Sequence, residues 1–145
     1  MILTQMIYAS KIREGLKDRD IEHILEKSRV HNTRNEITGI LCFHRKFFVQ
    51  ALEGERSHVT QTFNRIAIDK RHSDVVIISY RQIDIRSFSK WSMAYVPECH
   101  ITRDLLLKYS VESTFNPYTL SDTSAIGLLT ELSDRLLTKS RSAAA

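Results

Sequence analysis

Phe47-Phe48-Val49-Gln50-Ala51-Leu52-Glu53-Gly54 is the stretch on which the fold of this 145-residue chain turns. Aromatic and β-branched residues run to a glycine stop, the composition of a β-strand. Side chains two apart share a face, so Phe48, Gln50 and Leu52 point the same way. One carboxamide therefore stands among large apolar groups. It must find partners, because a buried donor or acceptor left unmet costs about 1–3 kcal/mol. A glutamine bonded to neighbouring backbone meets that demand as well as a ligand does, and on an arbitrary strand it is the commoner outcome.

Just before this strand, Arg45-Lys46 makes a tight turn, so residues 37–44 pair with it as a hairpin. Gly39 inside that partner strand marks a close backbone approach. Upstream, residues 2–10 read as a first strand carrying Tyr8, bounded by Arg13-Glu14-Gly15. Asp18 or Asp20 can cap the helix that follows, whose apolar Ile21, Ile24 and Leu25 fall at helical spacing, to about residue 30. Residues 31–35 read as the loop leaving it. Downstream of Gly54, Val59, Phe63, Ile66 and Ala67 mark the buried stripe of a second helix, with Arg65, Asp69, Lys70, Arg71 and His72 gathered at its C-terminal end. Residues 75–83 form a continuous apolar strand, long enough to be central. Residues 88–96 read as a fifth strand, holding Trp91 and Met93 and ending at Pro97.

The order predicts an α+β, ferredoxin-like β-α-β-β-α-β-β fold: a five-stranded mixed sheet with two helices on one face. Residues 1–97 form that domain. Residues 98–145 form a C-terminal helical extension, with helices over 101–109 and 123–137 separated by Asn116-Pro117-Tyr118, and a frayed tail over 140–145.

Hydrophobic content of 42% and charged content of 26% are those of an ordinary soluble domain. No apolar run is long enough for a bilayer and Met1-Ile2-Leu3-Thr4-Gln5 is not a signal peptide, so no membrane partner is expected. Cys42 and Cys99 stand alone, which suggests a reducing cytoplasm rather than a disulfide framework. The net charge of +4 arises within residues 1–100, where bases and acids interleave without a basic block, so nucleic acid is not the expected partner.

Several chemistries lack their parts. The glycines Gly15, Gly39, Gly54 and Gly127 are too far apart for a nucleotide loop. The six histidines never pair at metal-ligand spacing, so no metal is expected. No serine nucleophile elbow is present. Cys42 on a strand reads as a small core residue. Tyr8, Asn32 and Gln50 remain as hydrogen-bonding groups that could meet on one planar ligand. Taken singly, Tyr8 reads as packing and Asn32 as a helix-end residue.

Taken together, the motifs resemble the BLUF family of flavin-binding blue-light sensors, in its short stand-alone form with C-terminal helices. They are Ile7-Tyr8-Ala9-Ser10, then Asn32-Thr33-Arg34-Asn35 leading into Ile37-Thr38-Gly39-Ile40-Leu41, then Phe48 to Gly54, and last Trp91-Ser92-Met93. The likeness covers residues 1–96. It implies a flavin between the two helices: FAD first, with FMN and riboflavin also admitted. Ile24 and Ile66 would flank the ring, Asn32 would bond its pyrimidine side, Gln50 its N5 and carbonyl edge, and Tyr8 would bond Gln50. His31 would border the ring. Arg65, Asp69, Arg71 and His72 would lie by the ribityl and phosphate end, where cations suit phosphate.

The resemblance further implies a photosensor and not an enzyme. Light drives an electron and a proton from Tyr8 by way of Gln50, and their return leaves Gln50 rotated or tautomerised. Trp91 and Met93, two apart, should share a face of the fifth strand and compete for the place beside Gln50. They either simply pack there or relay the change to a separate signalling protein. Self-association into a homo-oligomer is also expected. The alternative reading is a small ferredoxin-like enzyme, a hydrolase or a flavin-dependent reductase.

Overall fold

A computed structural model of the chain describes residues 1–144, leaving aside the side chains of Cys99 and of residues 139–144. The strands are β1 (Leu3–Ile12), β2 (Thr38–His44), β3 (Phe47–Glu55), β4 (His72–Gln82) and β5 (Ala94–Val96). The helices are α1 (Asp18–Arg34), α2 (Arg56–Ala67), α3 (Arg103–Tyr109) and α4 (Asp122–Ala144). The strand order is β4-β1-β3-β2-β5, antiparallel throughout except for the parallel β2–β5 pair. This is the expected ferredoxin-like mixed sheet.

The hairpin forms in the expected register, Leu41 facing Gln50 and His44 facing Phe47. Arg45 takes the left-handed conformation (φ 56°) that its two-residue turn requires. Gly39 is needed for the close approach: a Cβ there would stand 2.0 Å from the Ala51 carbonyl oxygen. Gly39→Ala therefore has to push β2 off β3. The expected loss is about 1–3 kcal/mol, in line with overpacked cores, and appears as a lower urea midpoint at unchanged slope.

Period two divides the sheet into two faces. Met6, Leu41, Phe48 and Leu52 pack with Ile21 and Leu25 of α1 and Val59 of α2. Ile7, Ala9, Ile40, Val49 and Ala51 pack instead with Leu105 of α3 and Leu128, Leu129 and Leu132 of α4. The C-terminal helices thus cover the face that the first two leave bare, and α4 continues as helix to Ala144 across most of the residues expected to fray. Ala145 and the Cys99 side chain lie outside the described residues. Cys42 is fully buried, as a core residue. Among the described residues no helix is long and apolar enough to cross a membrane.

Three expectations are corrected. Helix α1 does not stop near residue 30 but runs to Arg34, so His31 and Asn32 lie on its last turns rather than in a loop. Nothing from 30 to 34 breaks a helix, and Asn35 closes it by donating its backbone N–H (3.1 Å) and side-chain Nδ2 (2.8 Å) to the His31 carbonyl. At the other end Asp20 accepts the Lys17 N–H at 2.9 Å.

Strand β4 is an edge strand, not a central one. It pairs with β1 alone, and Val76, Ile77 and Tyr80 are each 48% exposed. An apolar run reads alike in both places.

The fifth strand is only three residues long. Residues 83–93 form an irregular connector because the buried Glu53 carboxylate takes the Ser87 and Phe88 N–H groups (3.0 and 2.7 Å), which a sheet ladder would otherwise have used.

Candidate functional site

Tyr8 on β1 and Gln50 on β3 are directly opposed in the antiparallel register, so their side chains share the face that α1 and α2 cover. Both are buried, at 3% and 4% exposure. The Tyr8 hydroxyl donates to Gln50 Oε1. Gln50 Nε2 in turn donates to Met93 Sδ at 3.3 Å. The amide is thus engaged through both ends, its acceptor by a phenol and one of its donors by a thioether. The Phe63 ring lies edge-on to Tyr8 at 5.6 Å. Burial, and after it the nearby Asp69 charge, pushes the Tyr8 phenol well above its usual pKa. The hydroxyl therefore holds its proton and serves as a donor.

Above this pair α1 and α2 stand apart over a cleft of about 890 Å³, counting its open mouth. Ile24 of α1 and Ile66 of α2 form its two apolar sides, and Tyr8, Gln50, Leu41, Phe48 and Leu52 form its floor. His31 and Asn32, now on α1, and Arg65, Asp69, Arg71 and His72 complete the lining with Lys27, Ser28 and Thr62. All ten residues expected to hold a cofactor therefore border one cavity.

Polar groups at the mouth hold one another. Arg65 donates from α2 to His31 Nδ1 on α1, which leaves the ring proton on Nε2, donated to Thr62 Oγ1 at 2.9 Å. Thr62 passes its own hydroxyl hydrogen to the His58 carbonyl at 2.7 Å. Burial first, then the Arg65, Arg34 and His58 charges, holds the His31 imidazole below its usual pKa, which keeps Nδ1 free to accept. Arg71 binds the Asp69 carboxylate through Nε at 2.9 Å and through its terminal nitrogen, and that bond holds Asp69 below the ordinary carboxylate range. His72 lies edge-on to Tyr8 at 6.4 Å. Its Nε2 donates to the Ile66 carbonyl at 2.6 Å and its Nδ1 accepts from Ser10 at 2.9 Å, so it ties the end of α2 to β1 and β4.

Asn32 is 2% exposed and donates Nδ2 to the Ser92 carbonyl at 2.7 Å, while Arg29 Nε donates to the Met93 carbonyl at 3.1 Å. Helix α1 thus grips the segment that carries Met93. Trp91 and Met93 do not share a face. Met93 is buried against Gln50, whereas Trp91 packs into the cluster on the far side of the sheet, and its buried Nε1 has no partner among the described residues. The period-two expectation fails here because residues 91–93 precede the strand.

Sequence reading missed Lys27 and Ser28, which fall one helical turn beyond Ile24 and one before Asn32, so the 3.6-residue period carried on from Ile24 would have found them. Thr62 shows only through its bond to His31. Glu53 lies inside the Phe48 to Gly54 motif, where nothing local shows what its carboxylate meets.

Two carboxamides, apolar sides and a cationic mouth suit a planar ring with hydrogen-bonding edges and an anionic tail. A flavin fits that description. Gln50 and Asn32 would face its ring edges, Ile24 and Ile66 its two sides, and Arg65 and Lys27 its tail.

The profile of the BLUF family, described as sensors of blue-light using FAD, matches residues 3–94. The blue light- and temperature-regulated antirepressor BluF of Escherichia coli (strain K12) is 33% identical over 92 residues, which is 63% of this chain and 23% of that protein. This chain thus spans about a quarter of that relative's length. Among solved structures, the photo-activated state of BlsA superposes with a TM-score of 0.83 at 34% identity, covering 91% of this chain and 95% of that one. The dark-state structure of BlrB, a BLUF protein, superposes with a TM-score of 0.77 at 31% identity, over 90% and 94% of the two chains. A match of this extent leaves one assignment: the chain belongs to the BLUF family, the flavin-binding sensors of blue light.

Proposed function

We propose that the chain converts blue light into a changed hydrogen-bond pattern at Gln50, through the loss and return of a Tyr8 electron and proton, and thereby changes its binding to a separate protein. The observation that carries this is the buried chain of bonds from the Tyr8 hydroxyl through the Gln50 amide to Met93 Sδ.

A flavin bound in the α1–α2 cleft supplies the light absorption and, once excited, a strong one-electron oxidant. Tyr8 gives up an electron, and its hydroxyl proton has a path ready-made along the bond to Gln50 Oε1. Gln50 is suited to relay it because a carboxamide both donates and accepts. When electron and proton return to Tyr8, Gln50 is left rotated or as its tautomer. Rotation would turn the carbonyl oxygen toward Met93 and take away the N–H that the sulfur now accepts. The tautomer would keep an N–H there. Asn32 and Arg29 hold Ser92 and Met93 by their carbonyls, so a loosened Met93 side chain bears on a segment already tied to α1. Met93 is the relay in this reading, and Trp91, on the other face, reports to the α3–α4 side.

FAD is the proposed ligand, as in the family's description, with FMN and riboflavin as the variants to compare. The Escherichia coli relative is named an antirepressor, which supports a separate protein as the target. Self-association belongs to the same proposal and is read by sizing the chain in light and dark. The alternative of a small hydrolase or reductase gives way, since the family match is to a light sensor and carries no reaction to this chain.

The test is direct. Purified chain loaded with FAD should be yellow, and its absorption should move reversibly to the red under blue light, with light-dependent retention of a protein in a pull-down. Failure to retain flavin, or a spectrum indifferent to light, would sink the reading.

A further inference from the structure

Two side chains of β3, on opposite faces of the sheet, bond the β4–β5 connector. Toward α1 and α2, Gln50 donates to Met93 Sδ. Three residues along, on the α4 side, Glu53 is 0% exposed. Its carboxylate accepts from Gln5 Nε2 at 2.7 Å and from the backbone N–H groups of Ser87 at 3.0 Å and Phe88 at 2.7 Å. Gln5 is held in turn by Arg81 Nε, which donates to its Oε1 at 3.0 Å. Beside the clamp, Arg86 donates to Thr38 Oγ1 and to the Glu53 and Glu36 carbonyls at 2.8–3.0 Å.

A core that needed only filling would be better served by an apolar side chain, because a buried carboxylate is expensive to desolvate. What this one accomplishes is specific. It satisfies two connector amides that no strand partner serves, and so fixes residues 86–88 to the centre of the sheet. Phe88, 1% exposed, seats its ring in the α4-side core at the same point. Between this fixed point and the contact with Gln50 lie residues 89–93, of which Ser89 and Lys90 are exposed.

We propose that Glu53 is a positioning residue for the light response: its carboxylate clamps Ser87 and Phe88 to β3, so that a change at Gln50 is taken up by residues 89–93 alone. This rests on the reading of Gln50 given above. Glu53 and Gln50 act as the fixed and the switched ends of one short segment, and the output is confined to residues 89–93, of which Ser89 and Lys90 reach solvent. The surface that changes in this way is the turn around Ser89 and Lys90.

The test uses the full chain loaded with FAD. In the wild type, hydrogen exchange under blue light should change over 89–93 and leave the Ser87 and Phe88 amides as protected as in the dark. In Glu53→Gln, whichever way the new amide turns, Ser87 or Phe88 loses its acceptor. Light-induced exchange should then spread into 83–88, and dark recovery of the shifted spectrum should change about fivefold, the factor that one hydrogen bond carries. Leu128→Ala, in the α4-side core, should lose at least as much stability yet recover at the wild-type rate, which separates positioning from mere weakening. Should Glu53→Gln fail to fold, the wild-type exchange map decides alone. Loss of protection at Ser87 and Phe88 together with 89–93 overturns the clamp, as does a folded Glu53→Gln with wild-type recovery and exchange. A wild-type chain with no spectral response overturns the underlying reading instead, and the clamp's role with it.

Discussion

Tyr8→Phe should give a folded, yellow chain whose absorption no longer moves under blue light. The ring remains, so packing against Phe63 and the edge contact with His72 persist and the cleft keeps its floor. Only the hydroxyl goes, and with it the group proposed to release the proton along its bond to Gln50. The response should vanish rather than weaken, because among the described residues no other phenol borders the cleft. The stability change is a separate matter. Gln50 Oε1 loses its donor in a buried setting, which costs about 1–3 kcal/mol. Flavin retention on a sizing column and a urea titration check that the variant is intact, and absorption in light and dark checks the prediction. A normal red shift in a flavin-loaded Tyr8→Phe chain would remove Tyr8 from the mechanism.

Gln50→Leu should abolish the same shift and in addition alter the dark spectrum, because the group proposed to face the ring edge is itself replaced. Here the stranded partner is the Tyr8 hydroxyl, buried with its acceptor gone, again at about 1–3 kcal/mol. The two variants make a cycle. Replacing both groups by apolar ones of similar shape leaves neither a lone donor nor a lone acceptor, so Tyr8→Phe with Gln50→Leu should be more stable than the sum of the single losses implies. Additive losses would mean that the two side chains do not depend on each other, against the contact seen between them. Spectra of the three variants, each loaded with FAD, supply the photochemical half of the cycle. The double variant should be as dark-locked as either single one.

Much of this site could be read from residue order because it depends on local periods. Phe48, Gln50 and Leu52 had to share a face, and Ile24 and Ile66 had to lie on apolar helix stripes, whatever they met. The readings that failed did so where a local pattern has two tertiary solutions. Residues 31–34 carry no strong stop signal, so nothing local marks where between 30 and Arg34 the helix ends. The run 75–83 is equally apolar at an edge or in the centre, and which it occupies depends on which strands β1 already pairs with. Trp91 and Met93 do not follow a strand's alternation, because a carboxylate 35 residues away takes the connector amide at Phe88.

The amino-acid sequence by itself determined the αβ order, the hairpin, the faces of its strands and the kinds of group available for chemistry, since those follow from propensity and periodicity within a few residues. Tertiary structure alone decided that Tyr8 stands opposite Gln50, 42 positions along the chain, that Met93 and not Trp91 meets the amide, and that Glu53 reaches the connector. Strand register and loop docking are set by which distant surfaces fill each other and satisfy each other's hydrogen bonds. That is a property of the closed core, which no short stretch of chain possesses.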